Sequence, residues 1–267
     1  MLTLTLKDAP HVPLEAEAIS PDVLAALSLT EVKAKPVFLG KRQLRLDDAF
    51  KVEGTPSETI EVRGDLTKVK WIGRGMTKGS IRIHGPVGMH LGAYMKGGSI
   101  EVHGRASDWV GGEMSGGTIH VRGDVGGQIG SAYRGGASGM SGGTILIEGT
   151  AGLEVGMRMK KGIIAIRGKV RDFCGLQMKG GTIVMMSGAE IRAGAWMNRG
   201  TILSLQPIKL LPTFAHSCDY LPAFVRMYAK HLKPHGFEIP TSGGQYRRFT
   251  GDSSGLGKGE ILTWQPA

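Results

Sequence analysis

Gly97-Gly-Ser-Ile-Glu-Val-His-Gly104 and, two units later, Gly143-Thr-Ile-Leu-Ile-Glu-Gly149 are copies of one phrase, and its period decides the fold. The full unit reads Gly-Gly-Ser/Thr-Ile-x-Val/Ile-x-Gly, then a variable stretch, then Gly-x-x-Met. Seven of the 13 methionines (Met76, Met95, Met114, Met140, Met159, Met178 and Met197) follow at intervals of 19, 19, 26, 19, 19 and 19 residues. Ile81, Ile100, Ile119, Ile145, Ile164, Ile183 and Ile202 keep the same intervals, and an earlier copy begins at Ile60, offset by 21. A fixed period marks a repeat architecture whose units bury their apolar face only by stacking.

The columns of this repeat say which side chains point inward. Two residues after each Ile stand Val62, Ile83, Val102, Val121, Ile147 and Ile166. Six residues after it stand Leu66, Val87, Ala106, Val125, Ala151, Val170 and Ala189. Further on come Leu91, Val110, Ile129, Val155, Cys174 and Ala193, and then the Met column. Ile-x-Val alternation is the pattern of a half-buried strand. Strands stacked one repeat apart form columns of like residues, with glycine where the chain turns tightly. The sequence therefore predicts a mainly β fold, a right-handed parallel β-helix of seven to eight coils of about 19 residues, roughly 35–40 Å long at about 4.8 Å per coil. A left-handed hexapeptide helix needs an 18-residue coil in hexads, and Ca²⁺-binding nonapeptides need a Gly-x-Asp column; neither is present.

Gly92, Gly111 and Gly130 keep the 19-residue step, so the seven extra residues of the long interval fall between Gly130 and Met140. The segment Ser131-Ala-Tyr-Arg-Gly-Gly-Ala-Ser-Gly139 is expected to loop out from one corner, as a tolerated insertion or as a contact made by Tyr133 and Arg134. Three regions are expected: an N-terminal cap over 1–58, the Gly-rich β-helix over 59–205, and a C-terminal helix with a basic tail over 206–267. Both ends of such a rod need covering, because unpaired strand edges invite aggregation. Asp219 is expected to cap a helix with apolar face Leu221, Phe224, Val225, Tyr228 and Leu232. The residue after each Ile is charged or polar early (Glu61, Arg82, Glu101, His120) and apolar late (Leu146, Ala165, Val184, Leu203). That late strip needs a cover, and the helix is the expected one.

The chain has 267 residues with 43 glycines and a formal net charge of +10. Residues 1–58 carry a net −2, residues 59–205 a net +9, and residues 206–267 a net +3. The basic excess sits in the coils and points to an acidic partner or an anionic small molecule. No cluster of Lys/Arg interleaved with aromatics suggests nucleic acid. Two cysteines form no disulfide framework and favour a reducing cytosol, and no leader or long apolar run is read, so a cytoplasmic chain without membrane contact is expected.

Residues able to do chemistry are present, but their settings do not support it. His84 and His103 fall in one outward column, near enough for a metal pair, but the column continues as Arg63, Arg122, Glu148 and Arg167, and flanking guanidinium groups oppose a dication. Gly251-Asp-Ser-Ser-Gly255 matches the Gly-x-Ser-x-Gly elbow, yet Leu256-Gly-Lys-Gly259 will not start the helix the elbow requires. Cys174 lies in an inward column, and Cys218 with His216 and Asp219 is a weak candidate for a metal site. No catalytic residue and no metal ligand is assigned. The expected contacts to a partner or an anionic cofactor are Tyr133, Arg134, Tyr246, Arg247, Arg248 and Lys258, since aromatics and arginine are enriched at binding hot spots. The tail that carries the last four is expected to extend away from the coils.

Three features together resemble the C subunit of the formylmethanofuran dehydrogenase family: the opening with Ile19-Ser-Pro-Asp22, the Gly-Gly-Thr-Ile coils, and the ending Gly251-Asp…Gly257-Lys-Gly-Glu260. The coil motif alone is also similar to the C-terminal β-helix of glutamate synthase; the cap and tail single out the dehydrogenase family's C subunit. The resemblance implies a non-catalytic subunit of an enzyme complex. In one version a formyltransferase/hydrolase converts formyl-tetrahydromethanopterin to formate through a formylmethanofuran-type intermediate; in the other, a molybdenum or tungsten enzyme interconverts carbon dioxide and formylmethanofuran. The basic coils favour the first, because they suit an anionic, glutamate-rich cofactor or acidic neighbours. It further implies that the methanofuran-type cofactor and the metal belong to partner subunits, among them an amidohydrolase-like subunit and a formyltransferase.

Overall fold

The computed structural model describes residues 1–267 and is mainly β. Thirteen strands form one sheet: β1 (Leu2–Leu6), β2 (Phe50–Gly54), β3 (Thr59–Arg63), β4 (Ser80–His84), β5 (Lys96–Val102), β6 (Gly116–Val121), β7 (Ser141–Ile147), β8 (Lys161–Ile166), β9 (Lys179–Met185), β10 (Arg199–Ser204), β11 (Ala215–Tyr220), β12 (Gly244–Gly251) and β13 (Lys258–Pro266). Their order in space is β11-β12-β13-β10-β9-β8-β7-β6-β5-β4-β3-β1-β2. From β3 to β10 each strand pairs in parallel with the strand one repeat later, and the register sets isoleucine on isoleucine: Ile60↔Ile81, Ile81↔Ile100, Ile100↔Ile119, Ile119↔Ile145. A second parallel column of single bridges runs Leu66↔Val87↔Ala106↔Val125↔Ala151↔Val170↔Ala189. The inward columns predicted from the repeat make up one apolar core, with Ile119, Val121 and Met114 fully buried.

After the second column of bridges, each repeat turns through left-handed backbone. Gly92, at φ +61°, shows why glycine recurs there: an added Cβ would lie 2.5 Å from Cδ1 of Ile119. Ordinary residues also adopt this conformation, in two columns: Trp71, His90, Trp109, Gln128, Glu154, Phe173 and Arg192, then Tyr94, Glu113, Arg158, Gln177 and Trp196. Each such residue is strained by about 1–2 kcal/mol. Stacking offsets that strain, because the corner amides donate to the neighbouring coil, as from Trp109 N to Gly127 O (2.9 Å) and from Tyr94 N to Gly112 O (2.9 Å).

Both ends of the sheet are extended beyond the repeats. At one end β1 pairs in parallel with β3 and in antiparallel fashion with β2, so Leu2 and Leu4 continue the Ile60 and Val62 columns. Beside it, Leu14–Glu15, Pro36–Leu39, Arg42–Arg45 and Val69–Lys70 form a four-stranded sheet. At the other end the tail does not extend away from the coils, as its glycines had suggested. Strand β13 pairs in parallel with β10 (Ile202↔Ile261, Leu203↔Leu262), and β12 folds back antiparallel on β13. The physical reason lies in the repeat itself: Lys258-Gly-Glu-Ile-Leu262 has the spacing of Arg199-Gly-Thr-Ile-Leu203 and adds one more rung.

The helix is shorter than expected, Val225–Leu232 (α1), and Asp219 does not cap it. Asp219 lies in β11, where its carboxylate accepts from Arg247 and pairs with His216, and Pro222 disfavours helical backbone at Leu221. The expected cover is nevertheless in place. Leu146, Ala165, Val184 and Leu203 are buried in one cluster with Val225 and Leu232 of α1, Phe237, Tyr246 and Leu262.

Candidate functional site

The sequence-derived contact residues divide into four groups by position. Tyr246 is fully buried: its ring packs on Trp264 (4.9 Å between centroids) and its hydroxyl donates to Pro240 O at 2.9 Å. Alternation along β12 turns it inward onto the late apolar strip, so it is corrected from an outward contact to part of the chain's own core. Arg247 and Arg248 are committed internally. Arg247 holds Asp219 (3.1 Å) and Arg248 holds Glu260 (2.8 Å). The Arg247 hydrogen bond, aided by His216, keeps the Asp219 carboxyl below its ordinary range. Arg134 and Lys258 stand exposed and without a carboxylate partner.

Tyr133 is a keystone between insert and corner. Its backbone N–H donates to Glu113 Oε1 at 2.9 Å, and its ring stacks on Trp109 (4.6 Å) and lies against Tyr94 (5.4 Å). Its hydroxyl hydrogen-bonds His90 Nδ1 at 3.0 Å, and His90 stacks on Trp71 at 4.1 Å. Arg74 sits over the rings of Trp71 and Tyr94 and reaches Glu17 at 2.5 Å. Burial lowers the His90 pKa to about 4 and pushes the Tyr133 phenol upward, so the imidazole and the phenol are both neutral at pH 7. Sequence reasoning missed Trp71, His90 and Trp109 as a set, although their 19-residue spacing carried the signal.

The insert is pinned on its far side as well. Arg158 donates from Nη1 to Gly136 O (2.8 Å) and from Nε to Gln177 Oε1 (2.7 Å), and Lys179 donates to Ala137 O. The corner is thereby split in two. On the N-terminal side lies a depression lined by Val23, Phe38, Arg74 and Tyr94; on the C-terminal side lies another lined by Arg158, Lys179, Trp196 and Asn198.

A separate ladder of compensated charge runs along the strands. Glu61 lies 2.7 Å from Arg63 and 3.5 Å from His84; Glu101 lies 2.8 Å from Arg122 and 3.6 Å from His103. Glu148 takes Arg122 and His120. His84 and His103 stack at 5.3 Å, each against a glutamate already shared with an arginine. These residues do not fit a metal centre, since each glutamate is already held by a cation. Burial pushes the Cys174 thiol up to about 12, which leaves it no nucleophile. Ser253 lies in the turn between β12 and β13, where a strand follows in place of the helix an elbow needs. The arrangement offers packing, charge and shape at the corner and along the ladder.

Comparison with known proteins gives four findings. Residues 48–215 match the family model described as the GXGXG motif. The C subunit of the tungsten-containing formylmethanofuran dehydrogenase 2 of Methanothermobacter marburgensis is 40% identical over 97 residues, 34% of this chain and 36% of the relative. The C subunit of the molybdenum-containing formylmethanofuran dehydrogenase 1 of Methanosarcina barkeri is 41% identical over 90 residues, 32% of this chain and 30% of the relative. The match thus spans about a third of the length of these curated relatives. A chain in the X-ray crystal structure of the formyltransferase/hydrolase complex (FhcABCD) from Methylorubrum extorquens, in complex with methylofuran, superposes with a TM-score of 0.89 at 33% identity over 99% of both chains.

Proposed function

Because the chain belongs to the GXGXG motif family and is similar to the C subunits of formylmethanofuran dehydrogenases, we propose that it is the non-catalytic scaffold subunit of a formyltransferase/hydrolase complex. That complex would convert formyl-tetrahydromethanopterin to formate through a formylmethanofuran-type intermediate. One observation carries the reading: likeness over 99% of both chains to a component of the Methylorubrum complex. The methanofuran-type cofactor and the metal would be held by partners, an amidohydrolase-like and a formyltransferase subunit among them.

The finer architecture in this reading is a right-handed parallel β-helix over 59–205, flanked by an N-terminal cap over 1–58 and a C-terminal region over 206–267. Arg134 on the insert and Lys258 on β13 are its outward contacts to partners or to an anionic cofactor. No helix is long and apolar enough to cross a membrane; the two cysteines, both free, support a cytoplasmic location. A second reading is the C subunit of a molybdenum- or tungsten-dependent dehydrogenase, favoured by the 40% identity over 97 residues to the tungsten enzyme's subunit.

The test is purification through an affinity tag on this chain, expressed with the subunits encoded beside it. The proposal expects a stable complex that releases formate from formyl-tetrahydromethanopterin with no electron acceptor. A complex that instead needs an electron carrier and contains molybdenum or tungsten selects the second reading. A chain that purifies alone with intrinsic activity overturns both.

A further inference from the structure

The exposed cations of this chain are treated in two ways, and the difference identifies a surface. On the face that carries Glu61, Glu101 and Glu148, the arginines are interleaved with carboxylates. On the C-terminal half of the insert corner they are not. Lys179, Arg199 and Lys258 follow one another in register on three adjacent rungs, all exposed, and none is paired with a carboxylate. Strands are about 4.8 Å apart, and like charges directly opposite one another are destabilising. Lys160 and Lys161 continue the same strip, also exposed. The partners that do exist there are neutral: Ala137 O for Lys179, and Gly136 O and Gln177 for Arg158.

Beside this strip stand two large apolar side chains with nothing over them. Trp196 is 55% exposed and Leu256 is 64% exposed. Trp196 belongs to the same left-handed column as Tyr94, but Tyr94 lies against Tyr133 whereas Trp196 stacks on no ring. Its backbone is held firmly, because its N–H donates to the buried carboxylate of Asp252 at 2.8 Å. That carboxylate also accepts from Ser254 in the turn that carries Leu256. A rigidly mounted, exposed tryptophan that shares a depression with Arg158 and Lys179 has the composition of a binding hot spot.

We propose that this corner, centred on Trp196 and the Lys179–Arg199–Lys258 row, is the docking surface for an acidic face of a partner subunit. A second copy of this chain is the wrong occupant, since an isologous contact would set one uncompensated basic row against another. The partner would bring Asp or Glu side chains to the row and an apolar recess for Trp196. The proposal deepens the scaffold reading above and rests on it.

The test uses the assembled complex. The chain is tagged and co-expressed with its neighbouring subunits as wild type, K179E/R199E, W196A and, as a control on the small sheet, R42E. Circular dichroism and melting verify that each tagged chain is folded. Both corner variants should lose a partner subunit at least tenfold, R42E should not, and carbodiimide treatment of the wild-type complex should link Lys179 or Lys258 to an Asp or Glu of that subunit. If the corner variants assemble like wild type, or if Lys179 and Lys258 acetylate equally fast in the complex and in the free chain, the surface is wrong while the scaffold reading stands. A wild-type chain that recovers no partner overturns the scaffold reading and this one together. Cross-links from these lysines to co-purified nucleic acid, with assembly lost on nuclease treatment, would overturn the protein-docking assignment.

Discussion

Ile261 pairs with Ile202 in a parallel ladder although 59 residues separate them in sequence, so the chain returns from its helix to add one more rung to its own stack. The C-terminal strands are thus part of the core they cover, and the expected outcomes at this end follow from that.

Ile261 is fully buried and continues the isoleucine column. Ile261→Ala should destabilise the chain by about 2–4 kcal/mol, read as a fall in the denaturant midpoint. Lys258→Ala, on the same strand but exposed, should change stability by less than about 0.5 kcal/mol. Removal of residues 245–267 should expose Ile202 and Leu203 and yield an aggregating chain, visible by size-exclusion chromatography.

Met114 and Arg122 test the two faces of a coil. Met114→Asp sets a carboxylate among fully buried apolar neighbours and should cost several kcal/mol or prevent folding. Arg122→Ala removes a half-exposed partner of Glu101 and Glu148, and for a solvent-screened pair the loss should stay below about 1 kcal/mol. Equal melting temperatures for the two variants would invert the assignment of inside and outside.

Gly92 and Gly75 separate backbone strain from crowding. Both lie in the left-handed region, at φ +61° and +66°. An added Cβ meets nothing within 4 Å at Gly75, whereas at Gly92 it comes within 2.5 Å of Ile119. Gly75→Ala should therefore cost about 1–2 kcal/mol, the left-handed term alone. Gly92→Ala should cost a further 1–3 kcal/mol, roughly, for overpacking. Chemical denaturation of both variants gives the difference directly.

His90 sets a pH dependence. Its pKa falls from an ordinary 6.5 to about 4 because burial, and then Lys70, disfavour the imidazolium. Between those values the unfolded chain binds more protons than the folded one, so stability rises with pH across this window. Its contribution is complete above about pH 6.5 and is lost as pH falls toward 4, by roughly 1–2 kcal/mol once solvent screening of the half-buried ring is allowed for. Melting temperatures of wild type and His90→Gln between pH 4 and 8 should converge in slope above pH 7 and separate below 6, wild type being the steeper. Parallel curves throughout would show that His90 is not the group responsible.

The repeat of 19 determined the coil strands, their parallel register and the inward columns, because a stacked unit must place like residues on like residues or leave its apolar edge in water. The same arithmetic located the insert and the strip that needed a cover. Three things were decided only by the tertiary structure. Tyr246 reads as an exposed anchor in a Tyr-Arg-Arg-Phe run, but strand alternation turns it inward once β12 has found β13, a pairing that local sequence cannot reveal. Asp219 reads as a helix cap, but Arg247, distant in sequence, takes its carboxylate. Cations spread from Lys160 to Lys258 become one uncompensated row only when coils lie on coils, since charge balance is a property of neighbours in space.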